Sequence, residues 1–267
     1  MTADVIHDLD EQAYHADRST LSHSGAKVLA DSPARFKWRL DHPEHKDSFD
    51  VGTLAHKLIL RSTDNRISVA DAYDWRAKKW QDWKREQHAA GLVPVHRGDL
   101  LEASRMAWAV KRHPLASAIL ARPGLTEASL YGDDPTTGVR LRGRCDRITD
   151  TIEGHPVIVD VKTTAMTGPA SFGRKAFDYG YDTAAAWYSD LAVLAGLCDE
   201  TPQFLLVVVE TTAPHFVHVH EFTPDQLDRA RALNRDRIEL YARCVAANDW
   251  PDYGQDIHTI QTPRWVA

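Results

Sequence analysis

A chain of 267 residues, 43% hydrophobic and 26% charged, has the make-up of an ordinary globular protein with a sizeable core. Its formal net charge of −6 argues against a protein that coats nucleic acid over a broad surface, but allows a local basic groove. No apolar run approaches the ~20 residues of a membrane span, and Met1–Gln12 lacks a signal peptide's basic and apolar regions, so no membrane is expected and the cytoplasm is the default location.

Cys145, Cys198 and Cys244 are widely scattered, with neither zinc-site nor disulfide spacing. They are expected to pack as small hydrophobes. The histidines form no HExxH or CxxC…H pattern.

In chain order, Ser22 or Ser24 can cap a short helix through Leu29. The same serines at a helix N-terminus could grip a phosphate. Ser32-Pro33 opens a second helix, Ala34–Leu40. Phe49–Leu60 reads as a mostly apolar helix with Gly52 and His56 on one face. His56 is either a hydrogen-bonded core residue or a metal ligand with small neighbours around it. In residues 73–90, Trp75, Trp80 and Trp83 alternate with Arg76, Lys78, Lys79, Lys84 and Arg85. They could bind nucleic acid by stacking and charge; the favoured reading is an amphipathic helix burying Trp80 and Trp83. Gly91–Gly98 reads as a loop, followed by helices at Leu100–Lys111 and Pro114–Leu120.

From Leu125 the periodicity changes to two. Three successive strands are predicted, Leu125–Tyr131, Val139–Thr149 and Val157–Thr164. The first carries Glu127. On the second, Arg140, Arg142, Arg144, Asp146 and Ile148 are expected on one face. On the third, Val157, Val159 and Val161 face one way, and Ile158, Asp160 and Lys162 the other. An acid and a lysine on one face of an apolar strand are costly to bury without partners. They fit either an edge ion pair or a site where Asp160 holds a cation and Lys162 meets a water or phosphate. After Gly168-Pro169 an irregular segment with Arg174 and Lys175 is expected, then a helix at Tyr181–Ala195. Phe204–Glu210 is a buried strand and Phe216–Phe222 its edge partner. Thr223-Pro-Asp-Gln226 is a capping box for a long helix to about Ala246. The tail, Trp250 to Trp265, is expected to pack back on the body.

Carboxylates on adjacent strands suit Mg²⁺, a hard cation fitted to phosphoryl chemistry. Lys162 could orient a water or neutralise transition-state charge, and Arg140, Arg142 and Arg144 could contact a DNA backbone. The order acid, turn, acid-x-lysine is the pattern of the PD-(D/E)xK nucleases.

With the rest of the chain, the sequence resembles the phage and prophage exonuclease VIII (RecE-like) branch of that superfamily. The similarity runs from about Tyr14 to Trp265. It rests on Leu21-Ser-x-Ser-Gly25, Ser32-Pro33, Phe49-Asp-x-Gly52-Thr-x-Ala-His-Lys57, Glu127-x-Ser129, Gly143-Arg-x-Asp146, Asp160-Val-Lys-Thr-Thr164, Tyr179-Gly-Tyr181, Ala186-Trp-Tyr188 and Val207-Val-Val-Glu210.

The resemblance implies an α/β (α+β) restriction-endonuclease-like fold: a central mixed sheet flanked by helices. It implies one nuclease domain over 1–267, with a mainly helical part (1–122) carrying His56 and a sheet core with a C-terminal helix (123–267). His56, Asp146, Asp160 and the Val161 carbonyl are the implied metal ligands, Lys162 the catalytic lysine and Glu127 an additional acid. Ser22, Ser24 and Tyr188 are implied contacts to DNA or its terminal phosphate. The implied activity is a Mg²⁺-dependent exodeoxyribonuclease (Mn²⁺ substituting) that digests linear double-stranded DNA 5′ to 3′. The products are 3′ single strands for recombination. A homo-oligomeric ring and a single-strand annealing protein are the implied partners. One departure is Ala184, where the family usually has Gln. Two rival readings follow: a catalytically impaired DNA-end-binding module, and an endonuclease of the same superfamily.

Overall fold

The computed structural model describes residues 4–7, 9, 11–42, 51–61, 66–152, 155–165, 168–257 and 259–260. The elements in chain order are β1 (Asp4–Ile6), α1 (Glu11–Ala16), β2 (Leu21–Ser22), α2 (His23–Asp31), α3 (Pro33–Asp41), α4 (Val51–Leu60) and β3 (Ile67–Ala70). Next come α5 (Lys78–Ala89), β4 (Val93–His96), α6 (Arg97–Arg112), α7 (Pro114–Leu120), β5 (Gly124–Asp133), β6 (Arg140–Ile152) and β7 (His155–Thr164). The chain continues through α8 (Pro169–Asp178), α9 (Tyr181–Leu194), β8 (Gln203–Glu210), β9 (Val217–Glu221) and α10 (Pro224–Ala247). No described helix is long and apolar enough to cross a membrane.

Seven strands make one mixed sheet along the path β1-β5-β6-β7-β8-β9, with β2 paired to the start of β6. The expected meander is present: β5–β6 and β6–β7 are antiparallel. β8 runs parallel to β7, from Val157 opposite Gln203 to Thr164 opposite Glu210. A parallel pair needs a crossover connection, and α8 and α9 supply it. The unbroken apolar run Phe204–Val209 is buried throughout, as a strand covered on both faces requires.

Helices lie on both faces. On one, Val157, Val159 and Val161 pack with Leu54 and Ala55 of α4, Met106 of α6 and Ile119 of α7. On the other, Ile158 packs with Leu29 of α2, Phe172 of α8, Trp187 of α9 and Ile238 of α10. The period-two reading of β7 therefore matches its two cores. The helix starts follow their caps. Ser32 accepts the Arg35 N–H at 3.2 Å with Pro33 behind it, and Thr223 and Gln226 form the expected capping box. Trp250 stacks on Phe36, and the Pro251 carbonyl accepts the Ala34 N–H at 3.1 Å, so the tail packs back there. The expected helix start at Phe49 and the tail's end at Trp265 lie outside the described residues.

Four expectations change. Residues 91–98 are not all loop, since β4 pairs in parallel with β3 as a separate two-stranded sheet. The segment after Gly168 is helix α8. Proline at its first turn preorganises it, and Phe172 and Ala176, four apart, bury one face. The α5 helix buries none of its residues, so Trp80 and Trp83 are not core; they pack edge-to-face instead, with Trp75 stacked on Trp83. On β6 the side-chain alternation changes phase at Asp146. Leu141 and Cys145 before it and Ile148 after it all enter the same core, so Ile148 does not share a face with the arginines.

Candidate active site

The local cause of the site is a parting of two strands. The β6–β7 ladder pairs Thr149 with Val157, Ile148 with Ile158 and Arg147 with Val159, and stops there. One residue further, the Asp146 side chain does what a backbone carbonyl would: its Oδ2 accepts the Val161 N–H at 2.7 Å. The same oxygen lies 2.8 Å from His56 Nε2, on the helix packed against that sheet face. β7 continues to pair with β8, which fixes Asp160 opposite Leu206 and Lys162 opposite Val208. Lys162 Nζ lies 2.6 Å from Asp160 Oδ2. The contact is ionic, because that buried oxygen receives no aligned hydrogen bond. The Tyr181 ring centroid is 5.2 Å from the same ammonium. His56, Asp146, Asp160, Val161 and Lys162 are thus brought together. Glu127 is adjacent on β5, between Thr126 (opposite Arg147) and Ala128 (opposite Cys145), with a left-handed φ of 50°.

The electrostatics separate the two aspartates. Burial pushes the Asp160 carboxyl up to about 6, and the neighbouring Asp146 charge adds to this while Lys162 opposes it. Burial also raises Asp146, but His56, Lys162 and the Val161 N–H together hold it below the ordinary range. Burial works against charge on His56, yet Asp146 shifts that imidazole upward overall. Lys162 is raised too, since Asp160 and Asp146 outweigh its desolvation. The arrangement is one buried acid and one partly buried acid, with a charged lysine and an imidazole, a composition suited to phosphoryl chemistry with a divalent cation.

The model of the PDDEXK-like domain of unknown function (DUF3799) matches residues 22–263. The chain belongs to this family. It is therefore a member of the PD-(D/E)xK superfamily; the match does not single out the exonuclease VIII branch. No curated protein matches it. Among solved structures, one described as a putative exonuclease from Eubacterium rectale is similar over 96% of each chain at 12% identity, with a TM-score of 0.62. That likeness shows the fold. A second, SSO0001, is 13% identical over 80% of this chain and 85% of its own, with a TM-score of 0.31.

Within this PDDEXK-like domain the contacts of the remaining candidates are largely those of the scaffold. Ser22 caps α2 by accepting the Gly25 N–H at 3.2 Å, and its hydroxyl lies 3.2 Å from that of Ser24. Arg142 is buried, donating to the Tyr14 and Asp17 carbonyls at 2.6 Å each. Arg140 pairs with Asp133 at 3.3 Å, and the Arg144 guanidinium lies 5.7 Å from the Tyr14 ring centroid. Tyr188 stacks its ring on Phe204 and fills the space where a Cβ on Gly143 would fall. Ala184 shares a helix face with Tyr181 and Tyr188, three and four residues away.

Two features escaped the sequence reading. Tyr181 covers Lys162, although the Tyr179-Gly-Tyr181 motif marked only its position. His23 is buried and bonded to Thr183 Oγ1 at 2.9 Å, and no local pattern signals a contact across 160 residues. Among the described residues, no three His, Cys, Asp or Glu side chains stand together as a metal site. The reason is visible in the contacts. His56 and the Val161 N–H occupy one Asp146 oxygen, and Lys162 lies against Asp160. The donors still fit a divalent cation, because Asp160 Oδ2 is buried without an aligned donor and adjoins a second acid. A cation held there would exchange with those ion pairs.

Proposed function

We propose that this protein is a divalent-metal-dependent exodeoxyribonuclease, one nuclease domain over 1–267 acting in the cytoplasm on linear double-stranded DNA. The observation that carries this reading is the convergence of His56, Asp146, Asp160 and Lys162 where β6 and β7 part. His56, Asp146, Asp160 and the Val161 carbonyl would hold Mg²⁺, or Mn²⁺ in its place. Held there, such an ion would polarise the scissile phosphate and lower the pKa of an attacking water.

The chain's own groups set the rest. The Val161 N–H holds Asp146 in one orientation. The Lys162 ammonium, kept charged by its two acids, orients the water or offsets charge on the phosphate as it develops. Glu127 is a further acid beside them. Ser22, Ser24, Arg140, Arg142, Arg144 and Tyr188 are the proposed contacts to DNA; the arginines' existing pairs make their part chiefly the shaping of that surface. By resemblance, digestion runs 5′ to 3′ and leaves 3′ strands for recombination, within a homo-oligomeric ring and beside an annealing protein.

Incubating 5′-labelled linear duplex with the protein and Mg²⁺ tests the reading. Digestion lost in Asp160→Ala supports it; intact DNA, or equal digestion by Asp160→Ala, overturns it. Cleavage of closed circular DNA would favour an endonuclease instead. Ala184, on the helix face shared with Tyr181, is the observation behind a second reading, an end-binding module without hydrolysis. Tight end binding with no cleavage in either Mg²⁺ or Mn²⁺ would select it.

A further inference from the structure

Helices α4, α6 and α7 end around one cavity of about 570 Å³, closed at its back by Thr126 of β5 and Arg147 of β6. Its volume falls within the ~300–1,000 Å³ of small-molecule sites. Three cations line it, Arg61, Lys111 and Arg147, and no acidic side chain does among the described lining residues. Basic residues at helix C-termini have an ordinary explanation, because each helix end brings a partial charge of about −0.5. Those partial charges are smaller than the three full positive charges, so a net positive surplus remains.

Arg147 is held in place, donating to Thr126 Oγ1 at 2.7 Å and to the Arg122 carbonyl, while its Nε is buried with no partner. Arg61 lines the same cavity as Arg147, and an anion there would offset both charges. At the rim, Trp108 is 58% exposed with the Arg112 guanidinium 4.5 Å from its ring centroid, adding a flat aromatic surface and a fourth cation.

We propose that this cavity is a nucleotide site in which Arg61, Lys111 and Arg147 take a phosphate group and Trp108 takes the base. A phosphate monoester carries about −1.5 to −2 at neutral pH, opposite in sign to that surplus. The assignment goes beyond the hydrolytic reading and does not depend on it. Arg147 and Thr126 are chain neighbours of Asp146 and Glu127, so a nucleotide held here lies beside the acids without using them.

The test is calorimetric titration in EDTA at low salt, with deoxyadenosine 5′-monophosphate, deoxyadenosine and a short single-stranded oligonucleotide. The monophosphate should bind the wild type, deoxyadenosine at least about tenfold more weakly, and Arg61→Gln/Lys111→Gln should weaken the monophosphate by about tenfold or more. Arg61 and Lys111 are both exposed, so the double variant should keep the wild-type melting temperature. Lys162→Ala should bind the monophosphate within about twofold of the wild type. A second measurement needs no charge variant: the Trp108 indole N–H resonance, assigned with Trp108→Phe, should shift on adding the monophosphate. Cation-dependent binding of the monophosphate assigns a free-nucleotide site, and such binding by the oligonucleotide alone assigns a strand-backbone site. The proposal is overturned if neither binds, if deoxyadenosine binds as well, if the double variant is unchanged, or if Lys162→Ala abolishes binding.

Discussion

The Nε2 atom of His56 and the Oδ2 atom of Asp146 stand 2.8 Å apart, joining a helix to a strand of the sheet it covers. The contact occurs where β6 has lost its backbone pairing with β7, so one carboxylate oxygen both closes the sheet and holds the imidazole. Any cation entering the site must compete with that ion pair.

The first prediction concerns metal binding without turnover. A ligand that binds only the folded state stabilises by about 2.7 kcal/mol at a hundred times its Kd. Mg²⁺ or Mn²⁺ should therefore raise the wild-type melting temperature, and Asp160→Asn should abolish most of the rise. Thermal denaturation with increasing metal decides it, and an undiminished shift in the variant would refute Asp160 as a ligand.

Lys162 should behave differently. Removing a preorganised charge from a developing anion typically costs about 10²–10³ in rate. Lys162→Met should lose DNA hydrolysis on that scale while retaining a metal-induced melting shift. A variant that lost the shift as well would make Lys162 part of the metal site's scaffold rather than of the chemistry.

His23 gives a pH-dependent stability. Burial first, then the charges of Arg237, Lys27 and Lys162, push its pKa down from 6.5 to about 3. Well above pH 6.5 both folded and unfolded chains carry it neutral, so it contributes no slope there. Between 6.5 and about 3 the unfolded chain takes up a proton that the folded chain refuses, and stability falls as pH falls, by at most about 1.4 kcal/mol per pH unit. Urea unfolding at pH 7 and pH 5 should show a smaller loss for His23→Gln than for the wild type; equal losses would contradict the assignment.

Gly143 is fixed by its neighbours. A Cβ there would lie 2.8 Å from the Tyr188 ring and 3.0 Å from Leu191. Overpacking of this kind costs about 1–3 kcal/mol. Gly143→Ala should lower the denaturation midpoint accordingly, and Tyr188→Ala in the same chain should recover part of the loss.

Much of this was legible where local chemistry decides the structure. Alternation over Leu125–Thr164 revealed the meander, and Thr223 with Gln226 marked the start of α10. The Asp160–Lys162 spacing placed both groups on one face, as observed. Contacts through space were less accessible. β3 and β4 are four-residue strands whose pairing, with Ile67 opposite Val93, joins segments far apart in the chain. The phase change on β6 follows from Asp146 leaving its ladder for the Val161 N–H, which no spacing on β6 encodes. The tryptophans of α5 failed in another way: helical spacing gave them a common side, but that side is only half-buried, and they pack on one another.

The dual use of the Asp146 oxygen bears on how a complex with DNA could be captured for structural study. Under the proposed mechanism, replacing Asp146 would disable the chemistry, and it would also unfasten the Val161 amide and the His56 side chain, so the trapped complex would report a loosened pocket. Asp160 carries no such backbone bond. If Asp160 holds the metal as proposed, an Asp160→Asn protein is therefore the better decoy, inert yet with the seam between β6 and β7 still stitched.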